Sequence, residues 1–214
     1  MRTSLLLGVS AACIAIAAPA TAQVQFKPYV EIGLFSVGKM EASDAHSGGT
    51  MLSESAEDGN GISLGLKDFV GPFDIRLDAY DSEIYDPAVN TYLAEINVNS
   101  WYLDVLYTHE ITDRLELYAG GGAGQAELTY SGCSFCLPTV LVEGDDRAFS
   151  WQAIAGARFN LVSGLGVFVE GRYMSADGFE ITETPSQPPD PLLTVNYPTD
   201  YKEFVVLSGV RWQF

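Results

Sequence analysis

The chain contains one Cys-x-x-Cys, Cys133-Ser134-Phe135-Cys136. Two thiols at this spacing can exchange disulfides, supply half of a metal site, or close a small loop. No βαβ pattern surrounds the pair, and neither a histidine nor a second cysteine pair lies nearby, so redox catalysis and metal binding are the weaker readings. In an exported protein, a loop-closing disulfide between Cys133 and Cys136 is expected. His46-Ser47 sets a base beside a nucleophile, but neighbours in a glycine-rich loop are not a positioned pair. Carboxylates cluster in four stretches: Glu41, Asp44, Glu54, Glu57 and Asp58; Asp81, Glu83, Asp86 and Glu95; Glu143, Asp145 and Asp146; Asp177, Glu180, Glu183, Asp190 and Asp200. Such clusters offer hard oxygen ligands to divalent cations. None has the spacing of a dedicated calcium loop, and a solvated, repulsive surface is the simpler account. No catalytic residue, cofactor-binding residue or dedicated metal site is expected.

A second set of charges is placed differently. Glu31, Lys67, Asp74, Arg76, Asp78, Asp104, Glu116, Arg158, Glu170, Arg172 and Arg211 each alternate with apolar residues. Period 2 is the signature of a strand with two unlike faces. Eight segments show it. The first, about 27–37, sets Val30, Ile32 and Leu34 against Tyr29, Glu31 and Gly33; the second, about 61–69, sets Ile62, Leu64 and Leu66 against Ser63, Gly65 and Lys67. The third begins at Phe73 and sets Ile75, Leu77 and Ala79 against Asp74, Arg76, Asp78 and Tyr80. The fourth, about 98–108, sets Trp101, Leu103, Val105 and Tyr107 against Tyr102 and Asp104. The fifth sets Leu115, Leu117 and Ala119 against Glu116 and Tyr118 before Gly120-Gly121-Gly122, where glycine marks neither face and register is weakest. The sixth, about 149–160, sets Trp151, Ala153, Ala155, Ala157 and Phe159 against Gln152, Gly156 and Arg158. The seventh sets Val167, Val169 and Tyr173 against Phe168, Glu170 and Arg172. In the eighth, Phe204, Val206, Val210, Trp212 and Phe214 share one face, and Arg211 and Gln213 the other.

Three further patterns favour lipid over water on the apolar face. Links after the second, fourth and sixth segments are short, while the others are long and polar, as in a transmembrane barrel with short periplasmic turns, longer outer loops and both termini periplasmic. Aromatic residues sort to two levels, Trp101, Trp151, Tyr173 and Phe204 at one and Phe73, Phe159, Trp212 and Phe214 at the other. Arg2, the apolar stretch from Leu5 to Ala18 and Ala20-Thr21-Ala22 read as a secretory signal over 1–22, leaving a barrel domain over 23–214. After that leader no apolar run reaches the ~20 residues of a helical span. The composition includes 21 glycines, 11 tyrosines and 11 phenylalanines, and the formal net charge of −17 makes nucleic acid an improbable partner. Eight strands enclose an interior about wide enough for side chains to fill, so the alternating charges should pair as a salt-bridged plug.

The fold expected is therefore all-β, an eight-stranded antiparallel up-and-down transmembrane β-barrel preceded by a cleaved signal peptide. The leader, the Glu170-Gly171-Arg172-Tyr173 strand and the terminal strand ending in Phe214 together resemble the small outer-membrane β-barrel superfamily, the eight-stranded OmpA- and OmpX-like proteins. The resemblance covers essentially the whole mature chain, in pattern more than in identity. It implies a Gram-negative outer-membrane location among lipids and lipopolysaccharide. It also implies insertion by the barrel-assembly machinery, which in such proteins reads a terminal strand like Phe204, Val206, Val210, Trp212 and Phe214. The expected function is a structural or surface-interaction scaffold whose acidic loops serve adhesion, envelope integrity or ligand binding, with divalent cations as possible loop partners and no cofactor. A narrow ion or small-solute channel is the first alternative. A lipid A-modifying enzyme using His46 or Ser47 is the second.

Overall fold

Each of the eight alternating segments lies in a strand of the computed structural model, which describes residues 27–44, 50–56, 58–85, 95–133, 141–183 and 195–214. The strands are β1 (Lys27–Asp44), β2 (Thr50–Ala56), β3 (Asp58–Val70), β4 (Phe73–Tyr85), β5 (Glu95–Glu110), β6 (Leu115–Cys133), β7 (Leu141–Val162), β8 (Leu165–Glu183) and β9 (Val195–Gln213). All neighbouring pairs are antiparallel, and β1 also pairs with β9 from Tyr29↔Gln213 to Asp44↔Thr199, which closes the sheet on itself. Closure leaves no free edge between β1 and β9, the condition for a sheet surrounded by hydrocarbon. Among the described residues no helix is long and apolar enough to cross a membrane.

Nine strands make eight staves. β1 pairs with β3 through Gly33↔Gly61 and with β2 through Gly38↔Ala56, one continuous register, so β2 and β3 are two parts of a single partner to β1. The other departure is length. Pairing in β6–β7 runs from Leu115↔Phe159 to Cys133↔Leu141, and in β8–β9 from Leu165↔Trp212 to Glu183↔Val195. The stretches expected to be acidic loops are therefore largely strand: Glu41, Asp44, Glu54, Asp58, Asp81, Glu83, Glu95, Glu143, Asp145, Asp146, Asp177, Glu180, Glu183 and Asp200 all lie within β elements, while Glu57, Asp86 and Asp190 fall outside the described residues. The physical reason is that apolar alternation reports which face is in lipid, whereas the backbone ladder needs only a paired neighbour and continues where both faces are polar.

Alternation sorts the side chains as anticipated. Leu77, Leu103, Val105, Trp101, Val169, Phe204, Val206 and Trp212 are exposed on the outer wall, whereas Arg76, Asp78, Asp104, Arg158, Glu170 and Arg172 are buried inside. The glycine run does not interrupt it. β5 and β6 pair without a shift from Glu95↔Ser131 to Glu110↔Glu116, through Gly120, Gly121 and Gly122. A Cβ on Gly122 would collide with the Asp104 carboxylate. Parity changes in β8 between Ala176 and Phe179, both buried, and at a bulge in β1 where Gly33 faces Gly209 but Phe35 faces Ser208. One extra residue there switches the outward positions from Ile32 and Leu34 to Val37.

Tight turns join β3 to β4 at Gly71-Pro72, β5 to β6 at 111–114 and β7 to β8 at Ser163-Gly164, all at one end of the barrel. Gly164 has φ +78°, which glycine adopts without strain. At the opposite, long-link end, β7 and β8 stop pairing at Ser150↔Ala176 although both continue. There the Glu180 amide donates to Asp146 Oδ2 at 2.6 Å in place of a backbone rung.

Candidate functional site in the barrel interior

The interior is built from the inward parity of all eight staves. Its buried charges are Lys67, Arg76, Arg158, Arg172 and Arg211 against Glu31, Asp74, Asp78, Asp104, Glu116, Glu170 and Glu203. The eleven interior positions singled out from the sequence separate into two groups. Glu31, Asp74, Arg76, Asp78, Asp104, Arg158, Glu170, Arg172 and Arg211 belong to one network. Lys67 and Glu116 form a separate pair at the short-turn end, with Lys67 Nζ 2.5 Å from Glu116 Oε1 and 3.1 Å from Glu110 Oε1.

Glu31 and Arg76 are the hubs. Glu31 lies 2.8 Å from Arg158 Nε, 3.2 Å from Arg76 Nη1 and 3.5 Å from Arg211 Nη1. Arg76 also reaches Asp104 through Nε and Glu170 through Nη1, both at 3.0 Å. Arg172 then joins Glu170 at 2.5 Å to Asp78 at 2.6 Å, and Arg158 reaches Asp74 at 3.0 Å. Arg76, Arg158 and Arg172 are thus each shared by carboxylates from two or three different strands, while Arg211 reaches Glu31. Ions this deeply buried need both opposite charge and a full set of hydrogen bonds. Tyrosine rings complete the arrangement. The Arg158 guanidinium lies 4.0 Å from the Tyr118 ring centre and 5.1 Å from that of Tyr29, and Arg211 lies 3.8 Å from the centre of Tyr29. Gly65 and Gly156 leave the space that the Tyr29 and Tyr118 rings occupy.

Sequence reasoning missed three parts of this interior. Gln152 donates through Nε2 to Asp104 Oδ1 at 2.8 Å and to Asp78 Oδ2 at 3.2 Å, cross-linking two acids. Glu203 is buried among hydroxyls instead of cations, accepting from Ser82 at 3.3 Å, from Tyr80 at 3.4 Å and from Tyr201. Parity would have found Glu203, since it shares its face with Arg211. The third part is apolar: Val98, Ala126, Leu128, Ala148, Ala176, Phe179 and Tyr201, all near the long-link ends of their strands, form one buried cluster. Below it Tyr80, Tyr102, Phe168, Met174, Val205 and Leu207 form another. The interior is therefore a charged core with an apolar roof, not a salt-bridged plug throughout.

At the short-turn end the barrel opens into a cavity of about 720 Å³ lined by Lys67, Glu116 and Arg211 among others. Glu116 Oε2 and Arg211 Nε, which have no protein hydrogen-bond partner, belong to residues of that lining. A polar recess of this size accommodates water, which satisfies such atoms.

The other candidate residues fall elsewhere. Phe204, Val206, Val210 and Trp212 lie on the outer face of β9, and Phe214 follows it, its amide donating to Pro28 O at 3.0 Å. Cys133 ends β6, but its side chain and all of Cys136 lie outside the described residues, as do His46, Ser47 and residues 1–22. Among the described residues no group of three or more His, Cys, Asp or Glu side chains is placed to hold a metal ion. On the outside of the wall at the long-link end, Lys39 Nζ lies 2.6 Å from Glu41 Oε1, and this ammonium holds the Glu41 carboxyl below its ordinary range.

Residues 7–210 match the family described as the outer membrane protein beta-barrel domain. Among solved structures, neisserial surface protein A (NspA) is 12% identical, with 87% of this chain and 97% of that chain covered and a TM-score of 0.58. A major outer membrane protein from Thermus thermophilus is 13% identical, with 86% and 99% covered and a TM-score of 0.57. At these identities the likeness is one of fold. No curated protein sequence matches the chain.

Proposed function

The chain belongs to the outer membrane protein β-barrel family, and from that premise we propose that it is a closed, non-catalytic scaffold of the outer membrane that presents acidic arms outside the cell. The observation that carries this reading is the filled interior, in which a compensated charge network lies beneath an apolar roof. A path for ions would have to part Arg76 from three carboxylates and also wet the cluster around Phe179 and Tyr201. What remains available to partners is the outer surface.

In this reading the short turns and both termini face the periplasm, residues 1–22 are a leader removed on export, and the long links face outward. The barrel-assembly machinery reads the outer face of β9, and divalent cations are partners for the acidic arms. Single-channel recording of the refolded, heat-modifiable protein in a planar bilayer tests the closed interior. A silent bilayer is expected; reproducible unitary openings that depend on the protein would replace the scaffold with the narrow-channel reading.

The Cys133–Cys136 disulfide is part of the same proposal, and thiol chemistry checks it. Exported protein is expected to resist maleimide labelling at both cysteines until a reductant is added. Prompt labelling of untreated protein would rule the bond out.

A further inference from the structure

The outer wall carries a lateral groove of about 770 Å³ that the closed interior does not use. Two adjacent outward rows of the sheet create it. In the lower row, cross-strand pairing sets Ile62 beside Ala79 and Ala79 beside Trp101. Ala79 is much smaller than either neighbour, so it forms a floor between an isoleucine wall and an indole wall. In the upper row, on the same strands and one outward position nearer the long-link end, stand Asn60, Asp81 and Asn99. The boundary between apolar and polar wall therefore runs through a single concave site instead of round a smooth belt.

The polar row offers amide and carboxylate groups, and among the described residues of the lining it offers no free cation. Arg147 is held by Glu127 at 3.0 Å, which neutralises the guanidinium at the rim. Asn99 donates to Asn97 Oδ1 at 2.9 Å, a bond that does not use its own carbonyl oxygen. An anionic headgroup would meet Asp81 with no free cation of the described lining beside it. A polyhydroxylated headgroup instead finds acceptors for its O–H donors, amide N–H donors for its oxygens, and an exposed indole face for its C–H face. Acyl methylenes leaving that headgroup would descend along Ile62, Ala79 and Trp101.

We propose that this groove binds an outer-leaflet glycolipid with an uncharged sugar headgroup, the sugar seated at Asn60, Asp81 and Asn99 and the first acyl methylenes on Ala79 between Ile62 and Trp101. The proposal rests on the membrane reading above, which places the long-link end outward.

Two single-tryptophan proteins provide the test, one keeping Trp101 (W151F/W212F) and one keeping Trp151 (W101F/W212F). Both are refolded into phosphatidylcholine bilayers containing a minor fraction of lipid brominated in the acyl chain. The bromolipid is a glycosyl diacylglycerol, phosphatidylcholine or phosphatidylglycerol. Brominated phosphatidylcholine is expected to quench both tryptophans alike. The brominated glycolipid is expected to quench Trp101 as though enriched about tenfold over its bulk fraction, while treating Trp151 as ordinary annular lipid. Ala79→Leu, which fills the floor but keeps the face apolar, should remove the excess, and Asp81→Ala should reduce it. Equal quenching at the two sites, or an excess that survives Ala79→Leu, overturns the groove. Preferential quenching by phosphatidylglycerol overturns the uncharged-sugar assignment. Failure of brominated phosphatidylcholine to quench either tryptophan would overturn the membrane reading itself.

Discussion

Glu31→Ala is expected to lower barrel stability by about 3 to 5 kcal/mol, the cost of breaking a buried ion pair by removing one partner. The expectation follows from the position of Glu31 between three cations. Arg158 would keep Asp74, and Arg76 would keep Asp104 and Glu170, but Arg211 would lose its one carboxylate among the described residues. The three arginines around Glu31 would then face one another across less negative charge. Urea-induced unfolding in detergent micelles, followed by heat-modifiable migration, measures the change. Glu41→Ala is the control, because its ion pair with Lys39 is exposed and its loss should leave the midpoint in place. A midpoint that moves no further for Glu31→Ala than for Glu41→Ala would mean that the network is not part of what holds the barrel closed.

The second large effect belongs to the opposite face. Leu103→Arg and Val206→Arg place a charge on the exposed apolar wall, and each is expected to cost about 2 to 4 kcal/mol near the bilayer midplane. Leu207, the neighbour of Val206, is fully buried and reports a different quantity. Leu207→Ala should cost about 2 to 5 kcal/mol by opening a cavity, in micelles as well as in lipid. Comparing unfolding in liposomes and in micelles with a thin apolar belt separates the two causes. The lipid-facing assignment fails if both arginine variants insert and unfold as the unmodified protein does.

Where a strand crosses from lipid to lumen, each residue is assigned by its neighbours, and Arg76, Asp104, Arg158, Glu170 and Arg172 were legible one by one. Their partners were not. Alternation fixes the face of a side chain but not its height, so Glu31 meeting Arg76, Arg158 and Arg211 depends on stagger between strands, which no local pattern states. The apolar roof was hidden for another reason. Val98, Leu128, Ala148 and Phe179 stand at the margins of stretches rich in Asp, Glu and Gly, where composition argues for loop while the ladder continues. Glu203 shares the parity of Arg211, but no local pattern brings it to Tyr80, Ser82 and Tyr201, whose hydroxyls hold it. The β1 bulge after Gly33 left no mark in composition at all.

The seam between β1 and β9 has a kinetic consequence. Tyr29 pairs with Gln213 and Asp44 with Thr199, so the ladder that completes the wall joins residues separated by nearly the full length of the chain. Hairpins such as β7–β8 can form from local sequence, but the final rungs must wait for the last strand, and contacts of such high sequence separation are slow to form. Until they form, β1 and β9 are two unsatisfied edges on a sheet whose outer face is already apolar, the kind of surface that pairs with other chains. Closure of that one seam therefore removes both edges together, and the time for which they stand open is the time in which pairing with other chains can compete.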